Sequence, residues 1–157
     1  MQTENTKSLR EFWSDYLAAT QQSESEAMYS GELCFENDGI VGTEQLQLVL
    51  GGKKTAAFTP FDSFEINREP LPVAGEVYIV EDADDNPRCI IEVTDVKVIP
   101  LNEIPWDLAQ RDGENENLAE WREKMQEFLE DEADLCGFEA HEDSKIVCEI
   151  FRVIYRA

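Results

Sequence analysis

Apolar residues recur along this chain in two periods, and the switches between them predict its elements. Leu9, Phe12, Trp13, Tyr16 and Leu17 fall at i, i+3, i+4, i+7 and i+8, which predicts an amphipathic helix over about residues 8–19. A stripe at helical period is the pattern of a packed face, so its aromatics are expected in a core rather than against a ligand base. The polar run 21–25 reads as a loop. Leu46, Val49 and Leu50 return to helical spacing after a candidate N-cap at Thr43, and Gly51 or Gly52 is the residue type that ends a helix in a left-handed turn. Residues 54–59 can then be extended, with Thr55, Ala57 and Thr59 on one face. Pro60, Pro70 and Pro72 bound a segment expected to be irregular, containing Phe61 and Phe64.

The second half opens at Gly75 with a strand over 76–81, an acidic turn over 82–87 and a second strand over 88–99, together a hairpin. On that second strand Ile90, Glu92, Thr94, Val96 and Val98 share a face, so Glu92 is expected in mostly apolar company. Pro100 and Pro105 frame a connection to a short helix near 106–111, followed by a loop over 112–117. The longest helix comes next. Leu118, Trp121, Met125, Phe128 and Leu135 mark its expected buried stripe, and Gly137 ends it. Residues 145–156 form a near-continuous apolar strand of high β propensity, which belongs inside a sheet.

Composition bounds this picture. A chain of 157 residues, 42% hydrophobic and 31% charged, fits one soluble domain, and no apolar run approaches the roughly 18 residues needed to cross a membrane. Residues 1–7 lack the apolar core of a secretory signal, so the expected location is the cytoplasm. Cys34, Cys89, Cys136 and Cys148 are spaced neither as a metal knuckle nor as a redox pair, and Cys89 and Cys148 sit in apolar runs that predict buried free thiols. His141 is the only histidine, a surface residue by expectation. No metal or other cofactor is implied.

Charge changes the picture most. The formal net charge is −22, with 35 acidic against 13 basic residues, so long duplex DNA is expected to be repelled unless cations are concentrated locally. Residues 112–142 alone carry twelve carboxylates against Arg122 and Lys124, a pattern usual for a solvated helix face.

Against this background Gly51-Gly52-Lys53-Lys54-Thr55 stands out, as two glycines and two cations where a helix gives way to a strand. Glu92 is the other ionisable residue in an unexpected place, because a carboxylate inside an apolar strand needs a counter-charge, hydrogen bonds or a cavity. A Lys54–Glu92 pairing meets that need. The adjacent Trp121 and Arg122 read either as a stacking and anion-binding element or as a packed Trp with a solvated neighbour.

Several blocks in order carry a resemblance: Leu48-Val49-Leu50-Gly51-Gly52-Lys53-Lys54-Thr55-Ala56; Glu69-Pro70-Leu71-Pro72 with Gly75; the run 86–94; Asp112-Gly113-Glu114 with Trp121-Arg122; and Val147-Cys148-Glu149. With these the chain resembles the ASCH domains of the PUA-like superfamily, in a bacterial subgroup long described as of unknown function. The resemblance implies an α+β fold, a PUA-like small mixed β-barrel with surrounding helices, and a single domain over 1–157. It implies binding of RNA, a nucleotide or a modified nucleoside in a cleft where the Gly-x-Lys turn meets the strand glutamate. The alternative it implies is a hydrolase: an amidohydrolase of acetylated cytidine-like nucleosides, or a ribonuclease.

In the amidohydrolases the motif is Lys-x-x-Thr plus a strand Glu, which fall here on Lys54, position 57 and Glu92. Position 57 is Ala57, which cannot be a nucleophile. Thr55 or Thr59 then takes that part, or a water does, or this member only binds. The subgroup's Trp-Arg-x-x-His also ends here in Met125. The expected ligand-binding set is Lys53, Lys54, Thr55, Glu92, Trp121 and Arg122, with Lys54, Glu92 and Thr55 as candidate catalytic groups. The expected partner is a nucleoside, nucleotide or RNA end, with no membrane partner and no preference as to oligomeric state.

Overall fold

A computed structural model describes residues 8–23, 29–34 and 39–156, with side chains left out at 34 and 39–43. The reading of residues 1–7 lies outside that range, as does the side chain of Cys34. In chain order the elements are α1 (Leu9–Thr20), β1 (Tyr29–Cys34), α2 (Gly39–Leu50), β2 (Ala56–Pro60), α3 (Phe61–Asn67), β3 (Val77–Glu81), β4 (Pro87–Pro100), α4 (Trp106–Ala109), α5 (Leu118–Cys136) and β5 (Lys145–Arg156). Short 3-10 turns at Leu101–Glu103 and Gln110–Asp112 flank α4.

The architecture is mixed α+β. The strands form one sheet in the order β1-β3-β4-β5-β2. The expected barrel is corrected here: closure requires a ladder joining the two ends of that order, and among the described residues the pairing runs from β1 to β2 without one. The chain divides into two compact units, one comprising residues 1–52, 74–94 and 151–157, the other 53–73 and 95–150, with β4 and β5 each contributing a segment to both.

In the first unit α1 is set by its sequence. The Ser8 side chain accepts from the Glu11 backbone N–H at 3.1 Å while Glu11 accepts in return from the Ser8 N–H at 3.1 Å, a reciprocal cap that fixes the first turn. Its buried stripe, Phe12, Tyr16 and Leu17, packs on Val77, Ile79 and Ile90 of the β3–β4 hairpin. Phe12 and Tyr16 each meet the edge of Tyr155, with centroids 5.4 and 5.6 Å apart. The aromatics of α1 are therefore core, as their period predicts. β1, which periodicity did not predict, pairs parallel with β3; Gly31 and a register shift interrupt its alternation. α2 starts at Gly39, so Thr43 lies inside the helix rather than capping it.

In the second unit β2 pairs antiparallel with β5, with Ala57 opposite Glu149 and Phe58 opposite Cys148. Phe58, Cys148 and Ile146 join Trp121, Met125 and Leu129 of α5 and Ile104, Leu108 and Ala109 in one core. The segment expected to be irregular after Pro60 is a helix, α3, which docks on α5 through Ser63 Oγ donating to Glu132 Oε1 at 3.1 Å. The stripe of α5 is also corrected: Trp121, Met125, Leu129 and Ala133 are buried, whereas Phe128 and Leu135 are exposed. The buried set steps by four residues throughout, and Phe128 and Leu135 sit at the edge of that face.

Candidate functional site

The Gly-Gly-Lys-Lys corner belongs to the end of α2 and the approach to β2. Gly52 takes φ 78°, the left-handed conformation that lets the chain leave the helix, and its N–H donates to Val49 O at 3.0 Å. From Lys53 onward residues alternate strictly: Lys53 is exposed, Lys54 buried, Thr55 half-buried, Ala56 buried, and so on through Pro60. This is the two-residue period of extended chain, and it sends the two lysines to opposite sides.

Lys54 points inward, its side chain 6% exposed, and its ammonium pairs with Asp112 Oδ1. The other carboxylate oxygen of Asp112 accepts from the indole N–H of Trp121 at 3.1 Å. Lys54, Asp112 and Trp121 thus form a continuous polar chain at the edge of an apolar core, and the ammonium's charge is cancelled where burial makes an unpaired charge costly. The turn carrying Asp112 is pressed onto the lysine pair. Gly113 has φ 84°, and a Cβ there would stand 2.9 Å from Lys53 O. The Thr55 N–H donates to Arg111 O at 2.7 Å, and Arg111 Nη1 donates to Thr55 Oγ1 at 3.3 Å.

Of the expected ligand-binding residues, this unit brings together Lys53, Lys54, Thr55, Trp121 and Arg122, with two corrections. Trp121 is fully buried and packs edge-on against Phe58, its centroid 5.0 Å away, so it has no ring face to offer a base. Arg122 spends Nη2 on the carbonyls of Asn102 and Ile104, each at 3.1 Å, holding the 3-10 turn before α4; its buried Nε has no hydrogen-bond partner among the described residues.

Glu92 lies in the other unit. There it sits opposite Val77, its side chain 30% exposed, and Oε1 accepts from Arg152 Nε at 2.9 Å and Nη2 at 2.7 Å. The expected Lys54–Glu92 pairing is replaced by two separate pairs, Lys54 with Asp112 and Glu92 with Arg152, so each charge has its compensation within its own unit. The apolar company expected of Glu92 is one-sided too: Ile90 is buried, but Thr94 and Val98 are exposed.

Sequence reading missed Asp112 and Arg111. Asp112 was within a recognised block, yet nothing in a solvated acidic run distinguishes a carboxylate that turns inward. The one local signal was Gly113, a residue type that permits close backbone approach. Cys89 and Cys148 are buried free thiols, as expected, and burial pushes them up from 9.0 to about 11 and about 12. Among the described residues no group of three or more His, Cys, Asp or Glu is placed to hold a metal ion. No helix of the described residues is long and apolar enough to cross a membrane.

With this geometry in hand, comparison with known proteins is direct. A family model for the ASCH domain matches residues 32–155. The chain belongs to the ASCH domain family. Among solved structures, this ASCH protein is similar to an ASCH domain from Lactobacillus crispatus JV V101, with 28% identity, a TM-score of 0.83 and 94% of each chain covered. It is also similar to protein EF3133 from Enterococcus faecalis V583, with 26% identity, a TM-score of 0.81, and 94% of this chain and 88% of that one covered. A comparison with curated proteins returns no match.

Proposed function

We propose that this ASCH protein binds a nucleoside, nucleotide or RNA end at Lys53 and Thr55, on the extended segment that leads into β2. The observation that carries the reading is the split of the lysine pair. Lys54 is buried and neutralised by Asp112, so its pairing anchors the extended segment before β2, while Lys53 and Thr55 are left on the accessible side of that segment. A cation and a hydroxyl on a fixed extended backbone, in a chain of formal charge −22, form a local exception to a repelling field. Such an exception suits a small or terminal anionic ligand better than a long duplex, which would meet the acidic remainder of the chain.

Trp121 supports this segment through Asp112 rather than touching ligand, Arg122 is spent on the turn before α4, and Glu92, served by Arg152, is left out of the contact set. The hydrolytic alternative is weakened at Ala57, whose methyl group offers neither nucleophile nor proton carrier.

Calorimetric titration of the full chain with cytidine, cytidine monophosphate and short single-stranded RNAs tests the reading, with Lys53→Ala and Thr55→Val as variants and thermal melts to verify folding. Saturable binding of at least one ligand, weakened about fivefold or more by a variant that melts normally, is the expected result. No binding, or binding that neither variant alters, would overturn it.

A further inference from the structure

The geometry points to Arg111, together with Lys53 and the Thr55 hydroxyl, as a phosphate subsite, so that the ligand of this corner carries a terminal phosphomonoester. The inference deepens the binding proposal above and rests on it for the location of the ligand, though not for the anion's recognition.

Three observations converge. The first is directional. Thr55 and Lys53 lie on the outer side of the extended segment, and Arg111 is exposed with its guanidinium reaching Thr55 Oγ1 at 3.3 Å, while their neighbours Lys54 and Asp112 turn inward onto each other. The exposed side of the extended segment thus carries an ammonium and a hydroxyl, and the 3-10 turn brings the Arg111 guanidinium to that hydroxyl. The second is electrostatic. Asp112 is the carboxylate covalently next to Arg111, and its charge is already cancelled by Lys54, so it does not draw the guanidinium away from an incoming anion.

The third is donor capacity. A guanidinium has five N–H donors in a planar fork, and Arg111 uses one of them on Thr55, leaving a pair for bidentate capture of a phosphate. Fixation of Arg111 does not depend on its side chain, because its backbone carbonyl is held by the Thr55 N–H at 2.7 Å and the following turn is seated on Lys53 through Gly113. A side-chain change at Arg111 therefore removes donors without removing the framework.

Titration calorimetry of the full chain with cytidine, cytidine 5′-monophosphate and pyrophosphate, repeated with 5′-phosphorylated and 5′-hydroxyl RNA trinucleotides, tests this. We expect the monophosphate to bind at least about tenfold tighter than cytidine, with the advantage shrinking as salt rises. Arg111→Ala should remove most of the monophosphate's advantage over cytidine, both ligands being measured on the same variant. Arg111→Lys, which keeps the charge but not the fork, should retain only part of the advantage. Melting temperatures of both variants close to wild type exclude a folding effect. If 5′-phosphorylated RNA gains as much over its hydroxyl form as the free nucleotide does over cytidine, the subsite serves an RNA end; if only the free nucleotide gains, it serves a nucleotide. Either outcome supports the phosphate. Equal affinity for cytidine and its monophosphate, or an advantage untouched in a folded Arg111→Ala, would overturn the subsite and leave nucleoside binding standing. Pyrophosphate binding lost in Arg111→Ala, with no cytidine compound or RNA bound, would instead overturn the nucleoside reading and keep the anion site.

Discussion

Lys54 and Asp112 are 58 residues apart in sequence and joined in an ion pair whose lysine side chain is 6% exposed and whose aspartate side chain is 18% exposed. Each charge is tolerated because the other is there. Removing one partner of such a pair costs about 3–5 kcal/mol, since a largely buried charge is left uncompensated. Asp112→Asn should lower folding stability by about that much in urea unfolding, and Lys54→Met combined with Asp112→Asn should recover much of the loss. Single variants within about 1 kcal/mol of wild type would show that water, not Asp112, balances the ammonium.

Gly113 and Gly52 share a left-handed backbone but not their surroundings, with φ 84° and 78°. A Cβ at Gly113 would stand 2.9 Å from Lys53 O, whereas at Gly52 it meets nothing within 4 Å. Gly52→Ala should cost only the backbone penalty, about 1 kcal/mol, and Gly113→Ala should cost clearly more because the turn must lift off the lysine pair. Gly113→Ala should also weaken ligand binding at the corner, whereas Gly52→Ala should leave it near wild type. Equal losses of stability in the two variants would contradict this account.

The buried thiols predict how stability responds to alkali. Burial pushes Cys89 up to about 11 and Cys148 up to about 12, only partly offset by Arg156 and Arg88 for the first and Lys97 for the second. The folded chain therefore keeps protons that the unfolded chain releases from about pH 9 upward. Stability contributed by the protonated thiols is present below pH 9 and is lost as pH rises from 9 to about 11 for Cys89 and to about 12 for Cys148, by up to about 1.4 kcal/mol per pH unit for each thiol. Urea midpoints at pH 7.5 and 10 measure it, and Cys148→Ala should flatten the slope. At pH 8 iodoacetamide should modify Cys136, which is partly exposed, far faster than Cys89 or Cys148.

Ala57 lies half-buried on the same side of β2 as Thr55, opposite Glu149. Relatives that hydrolyse acetylated cytidine carry threonine at this position by the resemblance above, and loss of a nucleophile costs roughly 10³ or more in rate. Wild type should show little turnover of acetylcytidine. Ala57→Thr, a small change that a strand accepts, should raise turnover above Ala57→Val if the rest of that machinery persists. Robust wild-type turnover abolished by Thr55→Ala would mean that the nucleophile has moved by two residues and that binding is not the main role.

Elements with a local signal are written in the order of residues alone. The stripe of α1, the β3–β4 hairpin around its acidic turn, and β5 over Lys145–Arg156 all follow from period and turn chemistry. The alternation through Thr55, Ala57 and Thr59 was legible for the same reason, as were the buried thiols at Cys89 and Cys148. β1 was not, because a short strand containing Gly31 gains its hydrogen bonds only from β3, far along the chain. Nor was α3, whose seven residues follow a proline and are held by docking on α5.

The site was decided by tertiary structure, for an electrostatic reason. Lys53 and Lys54 are chemically alike and adjacent, and only the packing that places Asp112 and the Trp121 indole beside the chain makes one a buried anchor and leaves the other exposed. Glu92 reads as a buried carboxylate in need of a lysine until β5 brings Arg152 beside it. A charge in a sequence states a demand for compensation, and which residue meets that demand depends on contacts many residues apart that local pattern does not encode.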